Sequence, residues 1–511
     1  MYTFSSKLKT FALVLMALGI LGIGYGFLTA PKTIQDVEKI LAEEDAHGAH
    51  GGSNDHVIKD DLVLDEPTKN MSGGENHPAT TTVNPTGSTT DHMTHDGDST
   101  NVDLVNNAET HTTTTATDEH AKAHSVIPAH NDGAAGHDAH AEHQKHLEHV
   151  LHQLQNKPWA AFYVACIFFM LVSLGVLAFY AIQQVSQAGW SPVLFRVMQG
   201  ITAYLPVGSV IFFIFLILCG LHMNHLFVWL DADVVANDKL IQNKSGYLNF
   251  PFWIIRAAIF LTGWSLYQYF SRKNCLAQDE ADDNRYYKKN FKMSAAFLVF
   301  FIVTESIMSW DWIMSIDPHW FSTLFGWYVF ASFFVSGITV ICLVTLYLKS
   351  KGYLEYVNTS HIHDLAKFMF GLSVFWTYLW FSQFMLIWYA NIPEEVTYYV
   401  TRIEDYNLPF FGAVVMNFLF PILILINTDF KRITWVLAMA GIVILAGHYV
   451  DFFNMIMPGT VGDRWFIGVP EIGSVLFFLG LFIFVVFTAL TKSPLLPKRN
   501  PFIEESKHFH Y

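Results

Sequence analysis

Long runs of apolar residues, separated by short polar connections, fill the sequence on either side of one extended polar segment. Ten runs approach the 20 residues that a helix needs to cross the hydrocarbon core of a bilayer. They lie near residues 10–30, 159–184, 201–230, 250–270, 293–313, 322–348, 366–390, 408–428, 433–456 and 469–491. These runs are too long and unbroken for barrel strands. The pattern therefore predicts an all-α polytopic membrane protein with ten transmembrane helices.

The polar segment, residues 31–157, has a composition unlike the rest. It holds 22 Asp and Glu, 7 Lys and 16 of the 24 His, with few aromatic residues. Such a segment buries too little apolar surface to offset its ordering entropy, which predicts a largely disordered tether. Near its end, residues 139–155 could form a short helix with His143, His146 and His149 spaced three apart. That spacing is a weak indication of Zn²⁺ or Cu²⁺ binding, and a solvated tether without metal is the stronger interpretation.

Overall composition excludes several classes of protein. Hydrophobic residues make up 52% and charged residues 14% of the chain, against about a quarter charged in a soluble domain. This excludes an ordinary soluble enzyme, and the lack of a basic surface excludes a nucleic-acid binder. The net charge of −14 arises in the polar segment. Four scattered cysteines without a CxxC or CxxCH motif indicate that this chain has no covalently bound c-type haem and no iron–sulfur cluster of its own.

Basic residues in the connections predict the orientation. With the N-terminus in the cytoplasm, inner connections and the C-terminal tail hold 17 Lys and Arg, and short outer connections hold 4. Positive charge favours the cytoplasmic side. Both termini are therefore expected in the cytoplasm and the tether in the periplasm of a bacterial inner membrane. The first run could be a cleaved signal peptide, but its length and the poor cleavage site at residues 28–30 favour a retained anchor.

Ionisable residues inside the apolar runs are the first candidates for function, because burying them in a membrane is costly. Glu305 and Asp311 lie in the fifth run, and His448 and Asp451 lie one helical turn apart in the ninth. A histidine beside a carboxylate is a plausible proton relay. These four residues form a candidate proton path. The alternative for each is a structural hydrogen bond between helices.

A second set of residues could line a quinone pocket or stabilise the fold. His222 and His225 are expected on one face at the end of the third helix, and Gln383 and Tyr389 lie in the aromatic seventh run. Flat aromatic rings with sparse hydrogen-bond donors suit a quinone, although ordinary packing is the likelier use of the seventh run alone. Most of these polar groups fall in the outer half of the membrane. The inner half is expected to be poorer in polar groups, offering Tyr204, Ser294, Ser373 and Lys367.

Three stretches carry a family resemblance. DWIMSIDPHWFSTLFG at 311–326, FSQFMLIWYANIPEE at 381–395, and His448 with Asp451 resemble the ActF-type subunits of bacterial alternative complex III. These are quinone-binding-type membrane subunits in the wider family of polysulfide reductase and nitrite reductase membrane subunits. The resemblance covers about residues 158–491 and excludes the tether. Residues that match the family strings are Glu305, Asp311, Asp317, His319, Gln383, Tyr389, Glu394, His448 and Asp451.

The resemblance implies an architecture and an assembly. Two four-helix bundles, residues 158–313 and 314–456, would be flanked by an anchor at 1–30 and a last helix with its tail at 457–511. The assembly would be a quinol:cytochrome c oxidoreductase, and its partners would be a sister membrane subunit of the same fold, an iron–sulfur subunit, multihaem cytochrome c subunits and a terminal oxidase, within lipid. Quinol or quinone is the implied ligand, with haem and iron–sulfur clusters held by partner subunits. The alternatives are a structural scaffold without its own quinol site and, less favoured, a secondary transporter.

Overall fold

A computed structural model gives the arrangement of the chain and describes the backbone of residues 2–48 and 132–510. That part is helical and contains no strand. Ten segments are long and apolar enough to cross a membrane, which confirms the all-α polytopic membrane fold. They are α1 (Ser6–Thr29), α2 (His143–Val185), α3 (Pro192–Gly220), α4 (Phe250–Gln278), α5 (Arg285–Ile316), α6 (Phe325–Ser350), α7 (Thr359–Ala390), α8 (Asn407–Leu425), α9 (Thr434–Val461) and α10 (Val469–Leu490).

Helix α2 and helix α6 form the centre of the molecule and are its two most deeply buried spanning helices. Glycines let their backbones approach closely. A Cβ atom on Gly175 would lie 2.6 Å from the carbonyl oxygen of Phe333, and one on Gly337 would lie 2.8 Å from the nitrogen of Val176. Small residues at a crossing bring backbones into van der Waals contact, which drives helix association in lipid.

The remaining helices pack around this pair. Helix α4 contacts α3 and α5, helix α6 contacts α5, α7 and α9, and α8 contacts α9. Helices α1 and α10 contact each other along most of their length. The predicted grouping into two four-helix bundles agrees with these contacts but stays a prediction. Short helices cover the connections, at Ala232–Asn237, Lys239–Lys244, Pro393–Glu404 and Ile503–Lys507.

Glycines also define the pair α1 and α10. The buried face of α1 is the stripe Ala12, Leu15, Gly19, Gly22 and Gly26. A Cβ atom on Gly22 would lie 2.8 Å from the Cα of Gly473, and one on Gly19 would lie 2.4 Å from the nitrogen of Phe477. The glycine stripe of α1 therefore packs directly against α10, whereas most other side chains of α1 face outward.

The two ends of the predicted tether are helical. One helix spans Ile34–Gly48, and another runs without interruption over Asp132–Val185 into the membrane. A small apolar cluster of Val37, Leu147 and Val150 joins them. The possible helix at residues 139–155 is present and begins earlier than expected, whereas the helix at Ile34–Gly48 was not expected. Apolar residues recur in both at three- and four-residue spacing and give each helix a face to bury. The rest of the tether lies outside the described residues.

Two spanning helices are irregular. Helix α3 consists of Pro192–Leu194, Phe195–Thr202 and Tyr204–Gly220, with a break at Ala203 three residues before Pro206. Helix α8 contains a π-helical turn at Val415–Leu419. Pro421 explains that turn, because it has no N–H and its ring crowds the carbonyl group of Asn417 four residues earlier. The sequence analysis missed the irregularity in α8.

Candidate functional site

The centre of the candidate site is the carboxylate of Asp451, near the end of α9. Asp451 is 1% exposed. The hydroxyl of Tyr328 on α6 donates a short hydrogen bond to its Oδ1 atom. The indole Nε1 of Trp376 on α7 donates to its Oδ2 atom over 2.8 Å. Three helices thus meet at one buried carboxylate, and both of these donors are neutral.

His448 lies one helical turn before Asp451 and is fully buried. Its Nδ1 atom is 3.8 Å from Oδ2 of Asp451, 3.0 Å from Oγ of Ser332 and 3.4 Å from Nδ2 of Asn417. Ser332 and Asn417 can both donate to Nδ1, an arrangement that leaves the hydrogen of neutral imidazole on Nε2. Within the described part of the chain, Nε2 has no hydrogen-bond partner.

The irregular turn of α8 places Asn417 against this histidine. Asn417 is the middle residue of the π-helical turn and is fully buried. A Cβ atom on Gly447, the residue before His448, would lie 2.2 Å from Oδ1 of Asn417. A glycine is therefore needed at 447 for Asn417 to reach the imidazole. π-Helical turns often occur at functional sites.

A small cavity lies one layer of side chains away from this cluster, toward the end of the molecule at which α5, α7 and α9 end. Its wall includes Phe325, whose ring centre is 6.0 Å from that of Tyr328. It measures about 90 Å³ and is lined by Asp317, Thr401 and Arg402, among others. Tyr398 is also in its wall, with its ring stacked on Trp320 at 3.9 Å. Burial raises the pKa of Tyr398, and the charge of Asp451 adds to that effect. Tyr398 therefore stays a neutral hydroxyl between the buried carboxylate and the cavity.

A wider cavity adjoins the small one. It measures about 790 Å³, and both cavities are lined by Thr401, Pro458 and Gly459. Its other walls include four histidines and four aspartates, namely His149, His152, His222, His225, Asp231, Asp233, Asp405 and Asp463. Two of these groups form a hydrogen bond, between Nδ1 of His225 and Oδ2 of Asp231 over 3.0 Å. This wider cavity is called the outer cavity below.

The structure corrects the placement of the two histidines on α3. The helix ends at Gly220, so His222 and His225 lie in the following loop and do not share a helix face. His222 adopts a left-handed φ of 55°. The expected extension to residue 230 is wrong, because the ring of Phe250 fills the space above Gly220 and polar residues follow it. The loop instead brings both imidazoles to the carboxylate of Asp231.

The metal candidates of the tether do not meet other ligands. His143, His146 and His149 are exposed on the part of the long helix that precedes the membrane. His149 bonds to Gln153 through its Nε2 atom. Among the residues that the structure describes, no group of three or more His, Cys, Asp or Glu side chains could hold a metal ion.

Asp311 has a partner that the sequence analysis missed. Arg256 on α4 donates to both carboxylate oxygens, from Nε over 2.6 Å and from Nη2 over 3.0 Å. The hydroxyl of Tyr247 adds a third bond, over 2.8 Å. The guanidinium also lies 4.0 Å from the centre of the Tyr247 ring. A bidentate ion pair of this kind fixes two helices and favours a structural role for Asp311.

Glu305 lies in the middle of α5 and is 3% exposed. Its Oε2 atom accepts a bond from the adjacent Ser306 over 3.2 Å. Its Oε1 atom is buried and has no partner among the described residues. Among the described residues, no hydrogen bond connects Glu305 to His448 or Asp451. Glu305 is thus a separate buried carboxyl group.

The two candidates on α7 have opposite surroundings. Gln383 is buried and lies near Tyr399. Tyr389 is 84% exposed and belongs to the outer surface of the molecule, with Trp388 beside it. The structure therefore does not bring Gln383 and Tyr389 together in one pocket. Trp376, from the same helix, is instead part of the Asp451 cluster.

The opposite half of the membrane is richer in polar groups than expected. Four polar side chains lie 3.0–3.3 Å from the hydroxyl of the buried Tyr180, within hydrogen-bond distance, and they are Gln184, Gln199, Ser271 and Asn290. Ser294, which was identified, bonds to Tyr267 over 2.7 Å. Amides and hydroxyls were overlooked because they interrupt an apolar run less than charges do. On α5, Phe297 and Phe301 separate this inner group from Thr304 and Glu305.

Comparison with known protein families and with curated proteins finds no match to this chain.

Proposed function

We propose that this chain is a bacterial inner-membrane subunit of a quinol:cytochrome c oxidoreductase of the alternative complex III type, with both termini in the cytoplasm, and that it conducts protons to the periplasm. The observation that carries the proposal is the buried pair His448 and Asp451, which is bonded to neutral donors. Phe325, whose ring packs against that of Tyr328, separates these donors from a small cavity that adjoins the outer cavity. The sequence strings at 311–326 and 381–395 support the type of assembly.

The geometry supports a definite order of proton steps. His448 accepts a proton at Nδ1, and the resulting imidazolium is stabilised by Asp451 at 3.8 Å. The proton then passes to Asp451 and, by way of the hydroxyls of Tyr328 and Tyr398, to the small cavity. Both hydroxyls can accept and donate a proton without holding a charge of their own. Histidines and aspartates of the outer cavity would take up the proton next.

The redox chemistry belongs to other parts of the assembly in this proposal. Oxidation of a quinol releases two electrons and two protons; the electrons go to iron–sulfur clusters and haems on partner subunits, and the protons are released outward. A sister membrane subunit is the better candidate for the quinol site. Gln383 and Tyr389 do not share a pocket, and the outer cavity beside His222 and His225 is lined mostly by polar and charged residues, which do not suit a quinone ring. This chain then needs no metal or covalently bound cofactor, and it supports quinol oxidation by removing protons.

Two alternatives have some support of their own. The bidentate pair of Arg256 and Asp311 is the kind of contact that a structural scaffold needs. The irregular turns of α3 and α8 resemble the interrupted helices of secondary transporters. Neither alternative explains why a buried histidine, a carboxylate and a hydroxyl converge beside a cavity.

Purification of the full chain from its native membrane tests the proposal. Multihaem cytochrome should copurify in fixed proportion, and the preparation should oxidise quinol with cytochrome c as acceptor. His448→Gln should lower that turnover at least tenfold without changing the haem content, since one proton-transfer group typically contributes about 10²-fold or more. His319→Gln, an exposed histidine, is the matched control and should leave turnover unchanged.

The remaining outcomes identify the alternatives. A chain that purifies without haem and carries solute flux in vesicles is a transporter. Unchanged turnover in both His448→Gln and Glu305→Gln, with full haem content, would make the chain a scaffold and end the proposal of proton conduction.

A further inference from the structure

A groove between α3 and α4 opens onto the membrane-facing surface. It has a volume of about 460 Å³, and its walls are mostly apolar, with Val210 and Ile214 from α3 and Leu266 from α4 among them. These three side chains are 61%, 52% and 49% exposed. The bend at Ala203 and Pro206 separates α3 from its neighbour at this level. The groove is thus wide enough to hold a hydrocarbon chain.

Polar side chains line the groove at two levels. Gln268 and Tyr269 of α4 line one end, and Ser209 of α3 lines the middle together with Thr262 and Ser265 of α4. The contact between Arg272 and Gln199 gives the register of the two helices and places Ser209 level with Leu261, about 10 Å from Gln268 at 1.5 Å per residue. The amide at the end of the groove can therefore contact the ester region of a lipid, and the rest of the groove can hold its acyl chain.

Two cations lie one turn beyond that end. Arg272 follows Gln268 by four residues and so lies on the same face of α4. Its guanidinium bonds to the carbonyl oxygens of Gln199 and Ala489, over 3.3 and 3.0 Å. The backbone nitrogen of Lys492 is 3.3 Å from the same carbonyl of Ala489. Within the described ranges, no acidic side chain forms an ion pair with Arg272 or Lys492.

The length of the groove matches one leaflet. From Arg272 to Ala258, at the far end of the groove, α4 rises about 21 Å at 1.5 Å per residue. Half of a bilayer core is about 15 Å thick. A charged head at Arg272 therefore places the attached acyl chain along the groove and its end near the middle of the membrane.

We propose that this groove binds an anionic phospholipid, with its phosphate between Arg272 and Lys492 and one acyl chain between α3 and α4. Charge complementarity selects the anionic head, and the amide of Gln268 contacts the ester region. The site is independent of the proton route, since it lies at the opposite end of the helices from the Asp451 cluster.

Native mass spectrometry of the full chain in detergent, with lipid added, tests the site. Dioleoyl phosphatidylglycerol should bind at least tenfold more tightly than dioleoyl phosphatidylcholine. The double change Arg272→Gln and Lys492→Gln should weaken that binding about 30-fold, because each cation near a membrane surface contributes about fivefold. Arg272→Lys should retain binding to within about threefold. Ser265→Phe, which fills the groove, should weaken both lipids.

Lys273→Gln is the matched control, because Lys273 is the next residue and is exposed. This variant removes one positive charge outside the groove and should leave the affinity for both lipids unchanged. If Lys273→Gln lowers the affinity for phosphatidylglycerol as much as the double variant does, the preference reflects general surface charge and the proposed site is wrong. Equal affinity for the two lipids would also overturn it. Inorganic phosphate at millimolar concentration should not displace the lipid; displacement would show a free-phosphate site instead.

Discussion

Asp311 and Asp451 are both buried carboxylates near the end of a spanning helix, yet their partners differ in charge. Asp311 is held by the guanidinium of Arg256 at both oxygens. Asp451 accepts hydrogen bonds from the neutral groups of Tyr328 and Trp376. Protonation of Asp311 would leave a buried cation without its counter-charge, which is costly. Protonation of Asp451 leaves no such cation behind, so Asp451 is the better proton carrier.

The first prediction at this scale concerns the ion pair. Arg256→Gln should lower the free energy of unfolding by about 3–5 kcal/mol, since it leaves the carboxylate of Asp311 buried without its partner. Unfolding of the purified chain in mixed micelles, followed as the fraction of SDS rises, measures this change. Arg285→Gln removes an arginine whose side chain is 68% exposed and should cost less than about 1 kcal/mol. Equal effects of the two changes would contradict the structural role of the pair.

The second prediction concerns Tyr328. Tyr328→Phe removes one donor from buried Asp451 and should lower the free energy of unfolding by about 1–3 kcal/mol. Under the proposed function it should also slow quinol oxidation, because the hydroxyl lies on the proton route. Tyr378→Phe is the control, since Tyr378 is 65% exposed on α7. If Tyr328→Phe lowers stability but leaves turnover unchanged, the hydrogen bond to Asp451 is structural and Tyr328 does not lie on the proton route.

At the scale of elements, the sequence predicted the ten spanning helices well and their interruptions poorly. Length and hydropathy determine a spanning helix locally, so every apolar run became one. The early end of α3 at Gly220 depends on the ring of Phe250, which belongs to α4. The π-helical turn of α8 depends on Pro421 and on the contact between Asn417 and His448. Tyr328 lies 123 residues from Asp451, and Arg256 lies 55 residues from Asp311. Contacts at such separations leave no periodic signal in one sequence.

The pair α1 and α10 gives the prediction that belongs to this scale. Gly473→Leu should separate the two helices, because even a Cβ atom there would lie 2.8 Å from the backbone of Gly22. Disulfide crosslinking between cysteines introduced at Phe4 and Phe484, whose ring centres lie 6.2 Å apart across the pair, should then fall several-fold. Gly24→Leu is the matched control, since nothing lies within 4 Å of its Cβ position. Equal crosslinking in both variants would mean that the glycines do not set the distance between these helices.

At the scale of the whole molecule, the orientation in the membrane follows from charge alone and can be measured directly. All four native cysteines are buried, so the background of thiol labelling should be low. With the predicted orientation, a cysteine at the exposed Asn243 should react with a membrane-impermeant maleimide in intact spheroplasts. A cysteine at the exposed Lys289 should react only after lysis. The reverse pattern would invert the orientation and turn the proton route toward the cytoplasm.

The contact between the first and last spanning helices has a consequence for synthesis. About 450 residues separate their midpoints, and a ribosome working at about 5–20 residues per second needs roughly 20–90 s to make them. During that interval the glycine face of α1 is in the bilayer without α10 packed against it. Any chain truncated before residue 469 lacks α10 and therefore leaves that glycine face without the helix that fits it.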